Sequence, residues 1–166
     1  MLSLRVHTSL HDARDPMLLF EKLCPQSDDY QGCFETRHTV NEEQNTFIIA
    51  KSALIVSGKD YGVTLQALSP LGETLIESLT GKKQKKAALQ YAKPDPKLVI
   101  SEEQRLLQTT PFDCLRHLVK LLPPLPFLAN ALYGVVGYES VQYYESLNLP
   151  EQDPLQFPDF TFLFPE

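Results

Sequence analysis

Cysteine and histidine side chains are the first candidates for chemistry in this chain, because they bind metals and act as nucleophiles. The sequence has three cysteines and four histidines among its 166 residues. Cys24 and Cys33 are nine residues apart, which is not the spacing of a zinc knuckle. His7 and His11 are four residues apart but lie across the end of a predicted strand, so they would not share one helix face. We therefore expect no metal site in the chain.

The remaining nucleophile and acid candidates have simpler structural interpretations. Cys114 and His117 lie three residues apart on a predicted helix, where we expect Cys114 to pack as a small hydrophobe. Adjacent carboxylates occur in predicted polar loops or at a helix start, where acids favour the positive end of the helix dipole. These pairs are Asp28–Asp29, Glu42–Glu43 and Glu102–Glu103. The sequence contains no glycine-rich phosphate loop and no GxSxG motif, so no catalytic set can be assembled.

The charge of the chain argues against two classes of partner. Lys and Arg number 15 against 21 Asp and Glu, a formal net charge of −6. An acidic chain does not favour a general nucleic-acid binder or a protein that binds anionic membranes. The one basic run, Gly81–Lys86 (GKKQKK), has no interleaved aromatic residues, which favours a solvated loop over a nucleic-acid patch.

The compartment follows from the start of the chain and its cysteines. Met1–Leu10 has no long apolar core, so we expect no signal peptide. An odd number of cysteines without a signal peptide indicates a reducing, cytoplasmic environment. No apolar run approaches the roughly 20 residues of a membrane span.

The hydrophobic periodicity predicts strands and helices in the order β-α-β-β-β-α-β-α-β-α-β, with antiparallel hairpins. This order is typical of an α+β fold, an antiparallel sheet or sandwich with flanking helices. The predicted strands are 2–7, Gly32–Thr36, Thr46–Val56, Tyr61–Ala67, Ala87–Tyr91, Leu132–Tyr138 and Phe160–Phe164. The predicted helices begin at Asp15–Pro16, Ser69–Pro70, Thr110–Pro111 and Glu139, and Ser101–Gln104 has the pattern of a capping box.

The last predicted strand raises a question about the extent of the chain. Phe160–Phe164 is very apolar, and only Pro165 and Glu166 follow it. We expect such a strand to be covered by further sequence, so the chain is interpreted as a truncated form or the first part of a larger protein. An uncovered strand would leave an open edge, and we expect the chain to self-associate through it.

Six segments, in order along the chain, resemble the amino-terminal part of anthranilate synthase component I, a chorismate-utilising enzyme family. They are Asp15–Cys24, Cys33–Thr36 (CFET, against Leu-Leu-Glu-Ser), Ser52–Leu79, Pro111–Leu122, Tyr133–Leu147 (against Gly-Gly-x-x-Gly-Tyr-Asp-x-Val-x-x-x-Glu-x-Leu) and Pro158–Phe160. Together they cover nearly the whole chain. The related aminodeoxychorismate synthases share the same order more loosely.

The resemblance implies a specific role. The family enzyme is a lyase that converts chorismate and ammonia to anthranilate, the first step of tryptophan biosynthesis. It uses magnesium, and a glutamine amidotransferase subunit supplies the ammonia. Its catalytic and magnesium-binding residues lie in a carboxy-terminal half that residues 1–166 do not include. The chain would then be an incomplete amino-terminal regulatory domain, not catalytic by itself, that contributes to the pocket for L-tryptophan as feedback inhibitor.

Three positions match the effector site that the resemblance implies. Pro16 matches the proline of the opening helix, and Glu35 and Thr36 match the Glu-Ser of the inhibitor motif. A carboxylate binds the ammonium group of an amino acid, and a hydroxyl orients the ligand through a hydrogen bond. A rigid turn at Pro16 would form one side of the pocket for the indole ring. Without the resemblance, a solvated Glu on a strand and a helix-start proline are the simpler interpretation.

The sequence departs from the family pattern at several of these places. Thr36 keeps the hydroxyl of the motif serine but adds a stiff methyl group. Asn45 stands where family members often carry a basic residue, Tyr133 replaces the first signature glycine, and Glu139 replaces its aspartate. These differences bear on feedback inhibition, which we expect to be weakened or altered.

Two alternatives remain open at this point. The parent protein could instead make aminodeoxychorismate by related chemistry. A different class of function is a stand-alone interaction module, whose partner-binding surface would be the apolar segment Phe157–Phe164.

Overall fold

Two antiparallel sheets organise the chain in a computed structural model that describes residues 15–25, 30–37, 44–95, 101–121, 132–145 and 155–166. The strands are β1 (Gly32–Arg37), β2 (Gln44–Ile49), β3 (Ser52–Lys59), β4 (Gly62–Ala67), β5 (Lys86–Gln90), β6 (Tyr133–Val136) and β7 (Phe160–Pro165). The helices are α1 (Pro16–Leu23), α2 (Pro70–Thr80), α3 (Glu102–Leu106), α4 (Phe112–Lys120) and a 3₁₀ helix (Tyr138–Tyr143). The predicted α+β class, with antiparallel sheets and flanking helices, is confirmed.

The larger sheet has five strands in the order β5-β4-β3-β7-β6, and β1 and β2 form a separate hairpin. The last strand in sequence, β7, therefore lies between β3 and β6 with both edges paired. The expectation that β7 presents an open edge is wrong, because the backbone of β7 pairs with β3 on one side and with β6 on the other. Phe160 and Phe164 are buried, so Phe157–Phe164 is not one exposed surface. Self-association of the chain stays a prediction, but an open edge of β7 no longer supports it.

The predicted strand Thr46–Val56 is two strands in the structure. The break falls at Ala50 and Lys51, so that β2 pairs with β1 while β3 pairs with β4 and β7. The carbonyls at the break are satisfied: the Gln31 Nε2 donates to Ala50 O at 3.2 Å, and the Glu166 N–H donates to Lys51 O at 3.0 Å. Both halves are rich in β-forming residues, so composition does not reveal the break.

The predicted β3–β4 hairpin is confirmed, but its turn begins at Asp60 and not at Gly58, where the run Gly58-Lys59-Asp60 predicts it. Asp60 and Tyr61 occupy the turn with φ of 48° and 64°, as the twist of a two-residue hairpin requires. Gly58 belongs to β3 instead, and a Cβ at that position would overlap the ring of Phe160 on β7. The glycine is needed for close strand packing and not for the turn.

The structure has capping interactions at the ends of its helices. Ser101 accepts from the Gln104 N–H while the Gln104 side chain accepts from the Ser101 N–H, which completes the predicted capping box. Gly81 ends α2 with φ of 73°, the left-handed conformation typical of a helix C-terminus. The segment predicted as a helix from Glu139 is a 3₁₀ helix within the described residues.

The core lies where α2 crosses β3 and β4 and meets α4. Leu54, Val56, Leu65, Leu75, Ile76, Leu118 and Phe160 are all fully buried. Within the described ranges, no helix combines the length and hydropathy needed to cross a bilayer. The predicted strand at residues 2–7, the pair His7 and His11, and the acidic pairs at 28–29 and 42–43 lie outside the described residues.

Candidate functional site

Pro16 begins α1, as its position after Asp15 predicts. The Asp15 carboxylate caps the helix by accepting from the Met17 N–H at 2.9 Å and the Leu18 N–H at 3.4 Å. Pro16 itself has no N–H to satisfy and its fixed φ suits the first helical position. The cap explains the Asp-Pro pair without a ligand, so the implied role of Pro16 remains a prediction.

Glu35 and Thr36 lie on β1, and the register of the hairpin places the other notable positions opposite them. Glu35 is opposite Thr46, and Thr36 is opposite Asn45. Glu35 is exposed. The hairpin thus brings the matched motif and the Asn45 departure to adjacent register positions, which the sequence separates by eight residues or more.

The base of the hairpin is tied to the start of β3. The Ser52 hydroxyl donates to the Tyr30 carbonyl, and the Gln31 amide donates to the Ala50 carbonyl. Ser52 is buried, so this bond satisfies a polar group that water cannot reach. These two hydrogen bonds fix the position of the base of the hairpin relative to the start of β3.

The end of α1 lies near the start of β1. The pKa of the Cys24 thiol is raised, first by burial and then by its electrostatic interaction with the nearby Cys33. Since α1 has eight residues, Pro16 lies about 12 Å farther along the helix axis. A shared site for Pro16 and Glu35 stays a prediction.

Sequence reasoning missed the most constrained polar group of the described chain, the Asp159 carboxylate. Asp159 is 0% exposed. Its Oδ2 accepts from the Tyr143 hydroxyl at 2.7 Å, the Asp60 N–H at 3.0 Å and the Gln142 amide at 3.2 Å. The Lys59 ammonium lies 3.7 Å from Oδ1. Oδ1 is buried without a hydrogen bond of its own in the structure.

This carboxylate joins three parts of the fold. Asp159 precedes β7, Lys59 and Asp60 belong to the β3–β4 hairpin, and Tyr143 ends the 3₁₀ helix. Backbone bonds support the same junction, from the Asp159 N–H to Gly58 O and from the Gly137 N–H to Asp159 O, both at 2.7 Å. Two of the segments quoted for the resemblance, the glycine signature and Pro158–Phe160, therefore meet here. Their separate appearance in the sequence did not signal this contact.

Burial dominates the titration of the tyrosine in this junction. Tyr143 is fully buried, and its pKa is raised first by desolvation and then by its bond to Asp159 and the nearby negative charge. The Tyr143 hydroxyl therefore remains a neutral donor to the carboxylate. Through Oδ2 the carboxylate links the residues before β7 to the β3–β4 turn and to the end of the 3₁₀ helix.

Cys114 packs as predicted. Its side chain is 2% exposed on α4, and burial raises its pKa to about 11, against a smaller lowering by its bond to Tyr91. Among the described residues, no group of three His, Cys, Asp or Glu is placed to hold a metal ion. Glu102 and Glu103 are exposed at the start of α3, as expected for residues that interact with its dipole.

We predict that Cys114 reacts with iodoacetamide at least tenfold more slowly than the half-buried Cys33 in the native chain at pH 8. At that pH a thiol with a pKa of about 11 is only about 0.1% thiolate, the reactive form. Peptide mass spectrometry after timed labelling measures both rates. The denatured chain is the control, in which the two rates should converge; equal rates in the native chain would contradict the burial of Cys114.

Comparison with known proteins places these motifs in context. No protein-family profile matches the chain. The chain is 28% identical over 171 aligned residues to anthranilate synthase component 1 of Vibrio cholerae serotype O1, covering 97% of this chain and 32% of that protein. It is 27% identical over 144 residues to anthranilate synthase component 1 of Buchnera aphidicola subsp. Rhopalosiphum maidis, covering 80% of this chain and 28% of that protein.

The chain thus spans about a third of the length of the curated relatives it matches. Both relatives carry the same name, and the alignments include most of the present sequence. The resemblance inferred from the six motifs is therefore confirmed: over most of its length this chain is similar to anthranilate synthase component 1.

Proposed function

We propose that the chain is the amino-terminal regulatory part of an anthranilate synthase component 1, and that its β1–β2 hairpin contributes to a site for L-tryptophan as feedback inhibitor. The observation that carries the proposal is the similarity to two anthranilate synthase component 1 proteins along most of the chain. The hairpin register supports the location, since Glu35, Thr36 and Asn45 occupy neighbouring positions.

The chemistry of the hairpin suits an amino-acid effector. Glu35 is an exposed carboxylate on a paired strand, and an exposed carboxylate attracts an ammonium without first breaking a buried ion pair. Hydrogen bonds between paired strands hold their backbones in place. The backbone position from which the Glu35 side chain extends is therefore fixed. Thr36 would supply the hydroxyl of the motif.

The activity of the whole protein belongs to the same proposal. A longer protein of this kind would convert chorismate to anthranilate in the cytoplasm, with magnesium and ammonia from a glutamine amidotransferase subunit. The chain described here would regulate that reaction and not catalyse it. The names of both relatives favour anthranilate over aminodeoxychorismate as the product.

We predict that L-tryptophan binds the protein and that Glu35→Gln weakens this binding at least tenfold. One lost charge-assisted hydrogen bond contributes about 1.5–3 kcal/mol, which corresponds to roughly 10- to 150-fold in affinity. Thr36→Val, which removes the hydroxyl and keeps the shape, should weaken binding severalfold, whereas Thr36→Ser should retain it. Calorimetric titration with L-tryptophan, and with tyrosine and phenylalanine for selectivity, measures these affinities.

The matched control for this titration is Glu77→Gln, an exposed carboxylate on α2 away from the hairpin. It should bind L-tryptophan like the unaltered protein. Unchanged affinity in both Glu35→Gln and Thr36→Val would remove these residues from the effector site. Failure of the unaltered protein to bind tryptophan, alone and as part of a longer protein, would remove the proposed regulation.

An interaction module remains the second candidate, and one observation favours it. Apolar side chains are exposed on and beyond the edge strand β6, at Val135, Val136 and Tyr138, and also at Leu155 and Phe157. Exposed aromatic and branched residues are common in protein interfaces. The sequence predicted a partner-binding surface at Phe157–Phe164, but most phenylalanines of that segment are buried or half-buried. The exposed residues named above are therefore the candidate surface instead.

A further inference from the structure

The β1–β2 hairpin meets the five-stranded sheet through three aromatic rings. The ring of Tyr133, the first residue of β6, has its centroid 5.5 Å from that of Phe34 and 6.0 Å from that of Phe47. Phe34 on β1 and Phe47 on β2 are directly opposed register partners. The tyrosine ring thus packs on a cross-strand pair and contacts both strands of the hairpin at once.

The residues of this contact are adjacent in sequence to the proposed effector residues. Glu35 follows Phe34 on β1, and its partner Thr46 precedes Phe47 on β2. Successive side chains of a strand point to opposite faces, so Phe34 faces the large sheet while Glu35 is on the other, exposed face. A movement of the aromatic pair would therefore move the Glu35 carboxylate.

Tyr133 is itself firmly attached to the large sheet. It pairs with Leu163 on β7, and Gly134 beside it approaches β7 so closely that a Cβ there would overlap the Thr161 carbonyl oxygen. Desolvation raises the pKa of the Tyr133 hydroxyl, as expected for a ring enclosed at a contact. The ring can therefore act as a fixed support for the hairpin.

The hairpin has a second, separate attachment at its base. There the Ser52 hydroxyl bonds to the Tyr30 carbonyl and the Gln31 amide bonds to the Ala50 carbonyl. These hydrogen bonds act at the base of the hairpin, where they fix the point at which it begins. A contact at Phe34 and Phe47, partway along the strands, restricts the angle of the hairpin to the sheet.

We propose that Tyr133 is a positioning residue that holds the β1–β2 hairpin against the edge strand β6 and thereby sets the affinity of the effector site on that hairpin. The second part rests on the proposed function. The family signature that the sequence resembles has a glycine at this position, and a glycine has no ring to make the contact. The substitution therefore adds a support for the hairpin in the same chain in which Thr36 and Asn45 depart from the motif.

Amide hydrogen exchange of the full chain tests the positioning directly. Tyr133→Val keeps a strand-forming residue and removes the ring, while Tyr133→Phe keeps the ring and removes only the hydroxyl. We expect the amides of β1 and β2 to exchange about tenfold faster in Tyr133→Val, the size expected when two aromatic contacts are lost. Tyr133→Phe, which keeps both ring contacts, should show much slower hairpin exchange than Tyr133→Val. The amides of β3 and β4 report global opening and should not change in either variant.

A double-mutant cycle checks that the ring contact itself is responsible. Phe34→Leu alone should also speed hairpin exchange, and adding it to Tyr133→Val should cause little further change, because the contact is already lost. Fully additive effects would overturn the proposed contact. Unchanged hairpin exchange in Tyr133→Val would overturn the positioning role.

Titration with L-tryptophan separates this proposal from the proposed function. We expect a Kd about tenfold higher in Tyr133→Val and a much smaller change in Tyr133→Phe, which keeps the ring. An unchanged Kd in Tyr133→Val, together with faster hairpin exchange, would overturn the coupling to the effector site. If the unaltered protein binds no tryptophan, the proposed function fails, whereas the exchange measurement still decides the role of Tyr133.

Discussion

Asp159→Ala is expected to lower the free energy of unfolding by about 3–5 kcal/mol, because it leaves the buried Tyr143 hydroxyl and two further donors without their acceptor. The Tyr143 hydroxyl, the Gln142 amide and the Asp60 N–H all donate to this one carboxylate oxygen. Asp159 and Tyr143 are both fully buried, so water does not replace the acceptor of the Tyr143 hydroxyl without rearrangement. Chemical denaturation followed by circular dichroism measures the loss.

Graded variants locate the origin of that loss. Asp159→Asn keeps an acceptor oxygen and removes the charge that faces Lys59, so we expect a smaller loss of about 1–2 kcal/mol. Tyr143→Phe removes one donor to a charged acceptor and should cost about 1.5–3 kcal/mol. Tyr138→Phe, at a tyrosine 75% exposed, is the matched control and should be neutral. An Asp159→Ala variant as stable as the unaltered chain would show that the junction does not hold the fold together.

Gly72→Ala is expected to destabilise the chain by about 3 kcal/mol, the upper range for forcing an atom into a packed interior. Gly72 lies in α2, where alanine would by itself favour the helix by about 1 kcal/mol. A Cβ at this position would, however, overlap the Ala53 carbonyl oxygen and lie 3.0 Å from the Ala67 Cα. Both neighbours are backbone atoms of β3 and β4, which cannot move aside as a side chain can.

Ser78→Ala on the same helix is the control, because Ser78 is exposed and its hydroxyl bonds only to the Thr74 carbonyl of α2. It should change stability by less than about 0.5 kcal/mol. Thermal and chemical denaturation of the two variants give the comparison. If Gly72→Ala proved stabilising, α2 would have to pack farther from the sheet than the structure places it.

Local signals in the sequence were sufficient wherever short-range physics decides the outcome. The Ser101 capping box and the proline start of α2 depend on residues within one turn of each other, and both are confirmed. The hairpin of β3 and β4 was recognised from alternating residues around a turn. Its turn was misplaced because Gly58 looked like a turn residue, whereas it serves packing against Phe160.

The candidate site shows the same division. The motif on β1 was located from resemblance, and Thr36 and Asn45 proved to be register partners only once the hairpin was seen. The sequence does not indicate a role for the Asp159 side chain, because a single carboxylate between Pro158 and Phe160 has no partner nearby in sequence. Its donors come from residues 60, 142 and 143, and no short-range pattern connects them.

By itself, then, the sequence determined the α+β class, the helix ends, the principal hairpin and the similarity to anthranilate synthase component 1. These follow from capping, from hydrophobic periodicity and from motif order, all of which are written along the chain. Only the tertiary structure decided that β7 lies inside the sheet, that the run from Thr46 to Val56 divides between two sheets, and that Tyr133 supports the hairpin. Strand pairing and ring packing join residues far apart in sequence, and their free energy depends on which surfaces meet, so no local pattern specifies them.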